Sequence, residues 1–457
     1  MRSMAGLVLL WLLSALPFGL VLTLGGNPGV SAFLALAAVG LLTMVSNAKR
    51  AMLGEALVFT DLALLGAVFK HPQFYFSALN SAQKALLALS APIVPLLIWF
   101  TRTGEPALHL AGILILLGSG IVLRLIVGMA PWSRLAQHPD SESDVLRHGL
   151  IPTLFLHWLR WRASPDPEAP AMLSQRVSAD ELVVMIQCES FADPADLFAD
   201  PELELPGLAT ARQSAWQHGK LNVHGFGAYT MRTEYGVLFG RHQEALGFRR
   251  FDPYLTALNE THHALPARLR SAGWQSLFVH PHDMRFYNRD KILPAAGFAE
   301  LCGEDRFAPP GSDEGRYVTD AAMADEILTL AASARQPTLI YAVTIENHGP
   351  WGSKTGVSDL RGCYIELVRR SDAMLARLSR ELANLGRPAT LVFFGDHRPS
   401  IPGIAEPGGD LHTPYVILRF DSEGQPLPGS TTAQDLTPAD LHHTILNLLV
   451  AEAAPVT

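Results

Sequence analysis

The hydrophobic pattern divides the chain into an apolar first part and a mixed second part. Five apolar stretches precede residue 130: residues 4–24, 30–45, 56–69, 85–100 and 107–129. A membrane span needs about 20 apolar residues, with about 17 at the lower end. The first and last stretches meet this length, whereas the third is short and contains Asp61. The pattern predicts an α-helical membrane domain of about five spans, and a cleaved signal peptide would explain only the first stretch.

Positively charged residues predict the orientation of these spans. The loops on one side carry Arg2, Lys49, Arg50 and Arg102, whereas the opposite loops, residues 25–29 and 71–84, together hold one lysine and no arginine. Because loops rich in Lys and Arg remain in the cytoplasm, the N-terminus is expected there. Five spans then place the remainder of the chain outside a cytoplasmic membrane. This orientation depends on the third stretch crossing the membrane.

Between the two parts lies a segment rich in tryptophan and arginine. Residues 148–163 bring Leu154, Trp158 and Trp161 to one face of a predicted helix. Such a face suits a helix that lies at a lipid surface, and it equally suits a helix that packs against the soluble domain. The proline-rich residues 164–170 predict a linker at the domain boundary.

The second part alternates short β-branched runs with longer helical patterns. Four runs have the composition of buried strands: residues 182–187, 275–279, 339–345 and 390–394. Helix-like segments separate them, and this alternation predicts a mainly parallel sheet covered by helices. In such a sheet, ligands bind beyond the carboxyl ends of the strands.

Polar residues follow all four predicted strands. They are Glu189 and Ser190, then His280, His282 and Asp283, then Glu346, Asn347 and His348, and finally Asp396 and His397. Since parallel strands deliver their carboxyl ends to one edge, the pattern predicts a single functional site there.

The composition of the chain limits which classes of function are compatible with it. The net charge of −8 argues against nucleic acid as a partner, because neutralising phosphates requires a basic surface. Hydrophobic residues make up 49% and charged residues 17%, as expected for a chain that is partly membrane-embedded. The three cysteines cannot all pair, and a bond between Cys302 and Cys363 is left open.

Three residues of the predicted site suit a metal ion. Two carboxylates and one imidazole, from Glu189, Asp396 and His397, match Mn²⁺, Mg²⁺ or Zn²⁺ better than a metal that prefers thiolates. The alternative for Glu189 taken alone is a buried ion pair or a capping carboxylate.

A candidate nucleophile follows two glycines. Gly225 and Gly227 allow a tight turn, and Thr230 then begins a helical pattern. A hydroxyl at a helix N-terminus faces backbone N–H groups that favour an incoming anion. Threonine needs a base or a metal to act as a nucleophile. A simple helix N-cap is the alternative for Thr230, and Thr233 is the competing hydroxyl.

Two further segments suit substrate binding. Tyr287 precedes Arg289, and arginine binds phosphate in a bidentate manner. His348 and Trp351 share one loop, where the histidine could protonate a leaving oxygen. Each of these residues could instead belong to an ordinary surface loop.

Taken in order, the motifs QCESF, YTMRTEY, FYNRD, ENHGPW and FGDHRP resemble the lipoteichoic acid synthase family. This family includes the phosphoglycerol transferases of periplasmic glucans, within the alkaline phosphatase and sulfatase superfamily. The resemblance implies an alkaline-phosphatase-like α/β sandwich. It divides the chain into a transmembrane domain at 1–130, an interfacial helix and linker at 131–175, and an extracytoplasmic sulfatase-like catalytic domain at 176–457.

The resemblance also implies roles for the candidate residues. Glu189, Asp396 and His397 would bind one divalent ion, most readily Mn²⁺, together with Thr230 as the nucleophile. Tyr287 and Arg289 would surround the glycerophosphate group, and His348 would contact the substrate. Tyr287 replaces the tryptophan that is common in the Gram-positive synthases, which leaves the exact head group open.

The implied reaction has two steps. Thr230 attacks the phosphorus of phosphatidylglycerol and diacylglycerol leaves, after which a hydroxyl of a glycan or glycolipid acceptor resolves the phospho-threonine. A phosphoethanolamine transferase, a phosphodiesterase or other hydrolase, and a non-catalytic envelope component are the alternatives. A sulfatase that uses formylglycine is disfavoured, because the sequence has neither a CxPxR nor an SxPxR motif.

Overall fold

The computed structural model describes residues 2–62, 92–171, 181–311, 315–352, 359–430 and 432–451. The chain falls into two compact units, Met1–Ser164 and Pro165–Thr457. The helices described in the first unit are α1 (Met4–Gly25), α2 (Pro28–Leu53), α3 (Ile93–Phe100), α4 (Pro106–Ile126), α5 (Ser141–His148) and α6 (Leu150–Ala163).

Among the described residues of the first unit, three helices are long and apolar enough to cross a membrane. They are α1, α2 and α4, and they correspond to the first, second and fifth stretches predicted from the sequence. The third and fourth predicted stretches lie partly outside the described residues, so the number of spans stays a prediction.

Small residues allow α1 and α4 to approach each other closely. A Cβ atom added at Gly112 would lie 2.4 Å from the backbone nitrogen of Thr23, and one at Gly19 would lie 2.8 Å from that of Leu116. Because apolar side chains gain little by leaving lipid, close backbone packing is a main source of helix association in membranes.

The segment rich in tryptophan forms α6, which begins after Gly149 rather than at His148. Gly149 has a φ of 94°, which interrupts the helical backbone between α5 and α6. Within the first unit, α6 buries Leu154 and Leu156, whereas Trp158 is exposed. Of the helix face predicted from the sequence, Leu154 is therefore buried and Trp158 is exposed.

The second unit is built around a seven-stranded sheet. Its strands are β1 (Leu182–Cys188), β2 (Gln217–Asn222), β3 (Gln275–Val279), β4 (Glu300–Cys302), β5 (Thr338–Val343), β6 (Ala389–Gly395) and β7 (His412–Phe420). Their order is β2-β7-β6-β1-β5-β3-β4. Strands β6, β1, β5, β3 and β4 are parallel, and β7 is antiparallel to both β6 and β2. The predicted mainly parallel α/β sheet is confirmed.

Helices flank this sheet. They are α7 (Pro194–Leu197), α8 (Pro206–Ser214), α9 (Thr230–Phe239), α10 (Gln243–Leu246), α11 (Leu265–Arg270), α12 (Arg289–Ala295), α13 (Asp320–Ser333), α14 (Leu360–Ala383) and α15 (Pro438–Ala451). Successive residues of β1 face opposite layers: Val183 and Met185 pack in one hydrophobic cluster, and Val184 and Ile186 in the other. Burial on both faces explains why the central strands are almost uninterrupted apolar runs.

Asp372, in the middle of α14, holds the N-terminus of α8. Its two carboxylate oxygens accept hydrogen bonds from the backbone N–H groups of Gly207 (2.8 Å) and Leu208 (2.6 Å). A Cβ atom at Gly207 would lie 2.6 Å from the Asp372 carbonyl oxygen, so the two helices touch through backbone at this point.

We expect Asp372→Ala to lower the free energy of unfolding of the second unit by about 2 to 4 kcal/mol, because two buried N–H groups lose their acceptor. Urea titration of the full chain in detergent measures this. Asp325→Ala is the control, since it removes a more exposed carboxylate paired with Arg377 and should cost less than about 1 kcal/mol. Equal losses in both variants would contradict the assigned role of Asp372.

Candidate active site

The neighbouring strands β1 and β6 bring two carboxylates together. Their register pairs Cys188 with Gly395, so Glu189 and Asp396 each stand one residue beyond the end of the ladder. His397 follows directly. Ligand atoms from the two carboxylates and the imidazole all lie within 4.8 Å of one another, and all three residues are buried.

Asp396 has one oxygen held by the backbone and one aimed into the cluster. Its Oδ1 accepts hydrogen bonds from the N–H groups of Ser190 and His397, each at 2.8 Å. Its Oδ2 is buried and has no hydrogen-bond partner among the described residues. Burial, followed by the charge of Glu189, raises the pKa of Asp396 to about 7. An unpartnered carboxylate oxygen beside a second carboxylate is the arrangement that a bound cation satisfies.

His397 is oriented so that its other ring nitrogen faces the carboxylates. Its Nδ1 donates to the carbonyl oxygen of Arg398 at 3.0 Å. Its Nε2 lies 3.4 Å from Glu189 Oε1 and 3.6 Å from Asp396 Oδ2. Metal-binding histidines commonly use one ring nitrogen for a carbonyl oxygen in this way and offer the other to the ion.

The protonation of these groups reflects their mutual attraction. Burial lowers the pKa of His397, but the charge of Asp396 and the contact with Glu189 outweigh it and raise that pKa to about 9. Burial raises the pKa of Glu189, but His397 and His348 outweigh it and lower that pKa to about 2. The imidazolium proton is the positive charge that balances the carboxylates here, and a divalent ion would fit the same oxygen-rich set.

Thr230 is the first residue of α9 and adjoins this cluster. It is 9% exposed, and its hydroxyl is close enough to Asp396 to lower the pKa of that carboxyl. The N-cap residue is Tyr229, in a left-handed conformation (φ 75°), so Thr230 is not the N-cap. The turn before it is fixed by Gly227, whose N–H donates to the carbonyl oxygen of Arg398 at 2.8 Å.

The two candidate hydroxyls have different surroundings. Thr233 is 1% exposed, and its hydroxyl donates to the backbone carbonyl oxygen of Asp396 at 2.7 Å. Thr233 therefore ties α9 to the end of β6, whereas Thr230 faces the carboxylate of the same residue. This geometry favours Thr230 over Thr233 as the reactive hydroxyl.

The loop after β5 presents His348 and packs Trp351. The side chain of His348 is exposed, and it is near enough to Glu189 to lower the pKa of that carboxyl. Trp351 is 7% exposed, and its indole N–H donates to the carbonyl and side-chain oxygens of Asn347 at 3.2 and 3.0 Å. Trp351 therefore packs beneath the loop, and His348 is the side chain that the loop exposes.

Arg289 is turned towards α9. Its Nε and Nη2 donate to the two oxygens of Glu234 at 2.9 and 2.5 Å, and both side chains are buried. Tyr254 donates a further hydrogen bond to Glu234 at 2.6 Å. The ring of Tyr287 lies 5.3 Å from the Arg289 guanidinium. Two of the three nitrogens of the Arg289 guanidinium therefore donate to Glu234, which lies one helical turn after Thr230.

Three other residues adjoin the site without a role predicted from the sequence. His280 and His282 follow β3 at the same edge of the sheet, and burial lowers the pKa of His282 to about 4. Their position after a strand was visible in the sequence. Tyr317, whose ring centroid lies 5.7 Å from that of His348, carried no signal because it precedes a helix rather than following a strand.

Comparisons with known proteins agree with this architecture. The sulfatase family model matches residues 181–451, more than half of the chain. A capsular polysaccharide biosynthesis protein, RkpI, of Rhizobium meliloti (strain 1021) is 29% identical over 440 residues, covering 88% of this chain and 80% of the relative. A putative cyclic β-1,2-glucan modification protein of the same strain is 26% identical over 251 residues, covering 52% of this chain and 38% of the relative.

Among solved structures, the integral membrane lipooligosaccharide phosphoethanolamine transferase A (EptA) from Neisseria meningitidis matches with a TM-score of 0.56. The match has 13% identity and covers 98% of this chain and 96% of that one. The apolar helices and the family match together define a membrane protein whose second unit is a sulfatase-family domain. The chain belongs to the sulfatase family.

We expect Asp396→Asn to weaken Mn²⁺ binding at least about tenfold, because a ligand charge is lost from the cluster. Isothermal titration calorimetry on the full chain in detergent measures the affinity. Asp325→Asn, an exposed change on α13, serves as the control and should bind as the wild type does. Unaltered affinity in Asp396→Asn would exclude this cluster as the metal site.

We expect Glu234→Gln to lower the free energy of unfolding by about 3 kcal/mol, because it leaves the Arg289 charge buried without its partner. Urea titration compares it with Glu366→Gln, an exposed carboxylate paired with Arg370, which should change stability by less than about 1 kcal/mol. A small effect in both would mean that Arg289 points away from Glu234 in solution.

Proposed function

We propose that the chain is a membrane-bound phosphoglycerol transferase. It would move glycerophosphate from phosphatidylglycerol to an extracytoplasmic glycan or glycolipid through a phospho-threonine intermediate. The observation that carries the proposal is the Thr230 hydroxyl at the start of α9, beside the buried cluster of Glu189, Asp396 and His397. Membrane helices on the same chain are what an enzyme with a lipid donor would need.

The chain's own residues account for each bond that changes. In the first step the Thr230 oxygen bonds to phosphorus as the bond from phosphorus to the diacylglycerol oxygen breaks. His348 protonates that oxygen, and the Thr230 proton is released to solvent. In the second step the acceptor oxygen bonds to phosphorus as the bond from phosphorus to the Thr230 oxygen breaks. The acceptor proton passes to His348, and the Thr230 oxygen takes a proton back from solvent. A divalent ion, Mn²⁺ in this proposal, would polarise the phosphoryl group and favour ionisation of the hydroxyl.

The polar groups near the cluster favour a neutral glycerol head group over a cationic one. His282, His348 and Tyr317 offer imidazole and phenol hydrogen bonds to hydroxyl groups. Asp283, the carboxylate on the β3 loop, is engaged by Arg285 through Nε at 2.9 Å and Nη2 at 2.5 Å. Phosphoethanolamine transfer is the second candidate, because the full-length fold resembles EptA.

The positive residues of the first unit support an orientation in a bacterial cytoplasmic, or inner, membrane. With five spans, Arg2, Lys49, Arg50 and Arg102 remain inside and the catalytic domain lies in the periplasm or outside. The names of the curated relatives, which concern a capsular polysaccharide and a cyclic glucan, support a glycan acceptor.

We expect purified full-length protein with Mn²⁺ to release diacylglycerol from labelled phosphatidylglycerol and to acquire a glycerophosphate adduct on Thr230, detected by peptide mass spectrometry. Thr230→Ala should lower release at least about a hundredfold, since the covalent route is lost. Thr329→Ala, a helix-surface hydroxyl on α13, is the control. Labelled phosphatidylethanolamine tests the second candidate in parallel.

Undiminished release by Thr230→Ala would contradict the covalent mechanism. An adduct on Thr233 would reassign the nucleophile. Preferred release from phosphatidylethanolamine would replace the donor while keeping the reaction type.

A further inference from the structure

Ser190 has a conformation that serine rarely adopts. Its φ is 51°, in the left-handed region, and the residue is 1% exposed. A non-glycine residue in this region is strained, and the conformation persists only where the surrounding contacts enforce it. The strain lies directly after Glu189, at the end of β1.

Every polar group of Ser190 is engaged. Its N–H donates to Asp396 Oδ1 at 2.8 Å, and its hydroxyl donates to Glu189 Oε1 at 2.9 Å. Its carbonyl oxygen accepts hydrogen bonds from Asn347 Nδ2 at 3.2 Å and from the Tyr364 hydroxyl at 3.0 Å. One residue therefore contacts both carboxylates of the cluster and the loop that bears His348.

These contacts fix the rotation of the carboxylate groups of Glu189 and Asp396. Because Ser190 and His397 hold Oδ1 of Asp396, its Oδ2 is left facing the cluster. The Ser190 hydroxyl similarly fixes Glu189 Oε1, the oxygen that lies 3.4 Å from His397 Nε2. Without these donors, two neighbouring carboxylates would turn apart, since like charges repel in a buried site.

We propose that Ser190 is a positioning residue of the metal site. Its left-handed backbone and its hydroxyl hold Glu189 and Asp396 at ligand spacing before an ion binds, and its carbonyl couples them to the His348 loop. The inference rests on the proposed metal-dependent function, and it assigns Ser190 no contact with substrate.

Comparing two substitutions of Ser190 distinguishes the effect of its hydroxyl from the effect of its backbone strain. Ser190→Gly removes the hydroxyl and relieves the left-handed strain, because glycine adopts positive φ freely. Ser190→Ala removes the hydroxyl and keeps the strain. Ser276→Ala is the matched control, since Ser276 is equally buried in β3 and its hydroxyl has no hydrogen-bond partner among the described residues.

The experiment measures Mn²⁺ affinity by calorimetry and the visible absorption of the Co²⁺-loaded protein, both on the full chain in detergent. We expect both Ser190 variants to bind Mn²⁺ about tenfold or more weakly and to shift the Co²⁺ spectrum, because a residue that orients metal ligands affects affinity and geometry. Ser276→Ala should match the wild type. Thermal unfolding of the metal-free proteins reports folding separately, and Ser190→Gly carries the test if Ser190→Ala does not fold.

Wild-type affinity in Ser190→Gly would overturn the inference, since the hydroxyl would then be dispensable. A lowered unfolding temperature with unchanged affinity would do the same, because the role would be structural alone. Absence of Mn²⁺ binding by the wild type would also overturn it. If the wild type binds Mn²⁺ but releases no diacylglycerol, the proposed function fails while the assignment of Ser190 is still decided by affinity.

Discussion

The site depends on holding two carboxylates side by side in a buried position. Glu189 and Asp396 directly follow neighbouring parallel strands, whose register sets the two residues side by side. Two buried like charges repel, so a positive partner must lie between them or one must take a proton. His397 supplies that partner in the geometry described, and the orphaned Asp396 Oδ2 marks where a divalent ion would substitute for it.

Several hydrogen bonds connect the two paired carboxylates to the surrounding helices and loops. Thr233 ties α9 to the Asp396 backbone, which places Thr230 beside the carboxylate. Glu234, on the same helix, holds Arg289 in a bidentate pair. Ser190 links the β1 loop to the β5 loop. Thr230, the carboxylate cluster and the loop that bears His348 are therefore held in place by one another as well as by the sheet.

The membrane helices bear on where the proposed reaction takes place. A sulfatase-family domain on the same chain as apolar helices would act at a bilayer, and the donor in our proposal, a lipid phosphodiester, is confined to one. The two half-reactions that we propose at Thr230 suit such a donor, because diacylglycerol would leave into the lipid before a polar acceptor enters.

The sequence alone determined the class of fold and the edge of the sheet that carries the site. Strand periodicity is local, and the residue after a buried parallel strand must lie at its carboxyl edge, so Glu189, Asp396 and His397 could be grouped without coordinates. Partners across space could not be predicted, because a hydrogen bond between distant residues leaves no periodic signal. Tertiary structure decided that Thr233 anchors a helix, that Arg289 faces Glu234 and that Trp351 is buried.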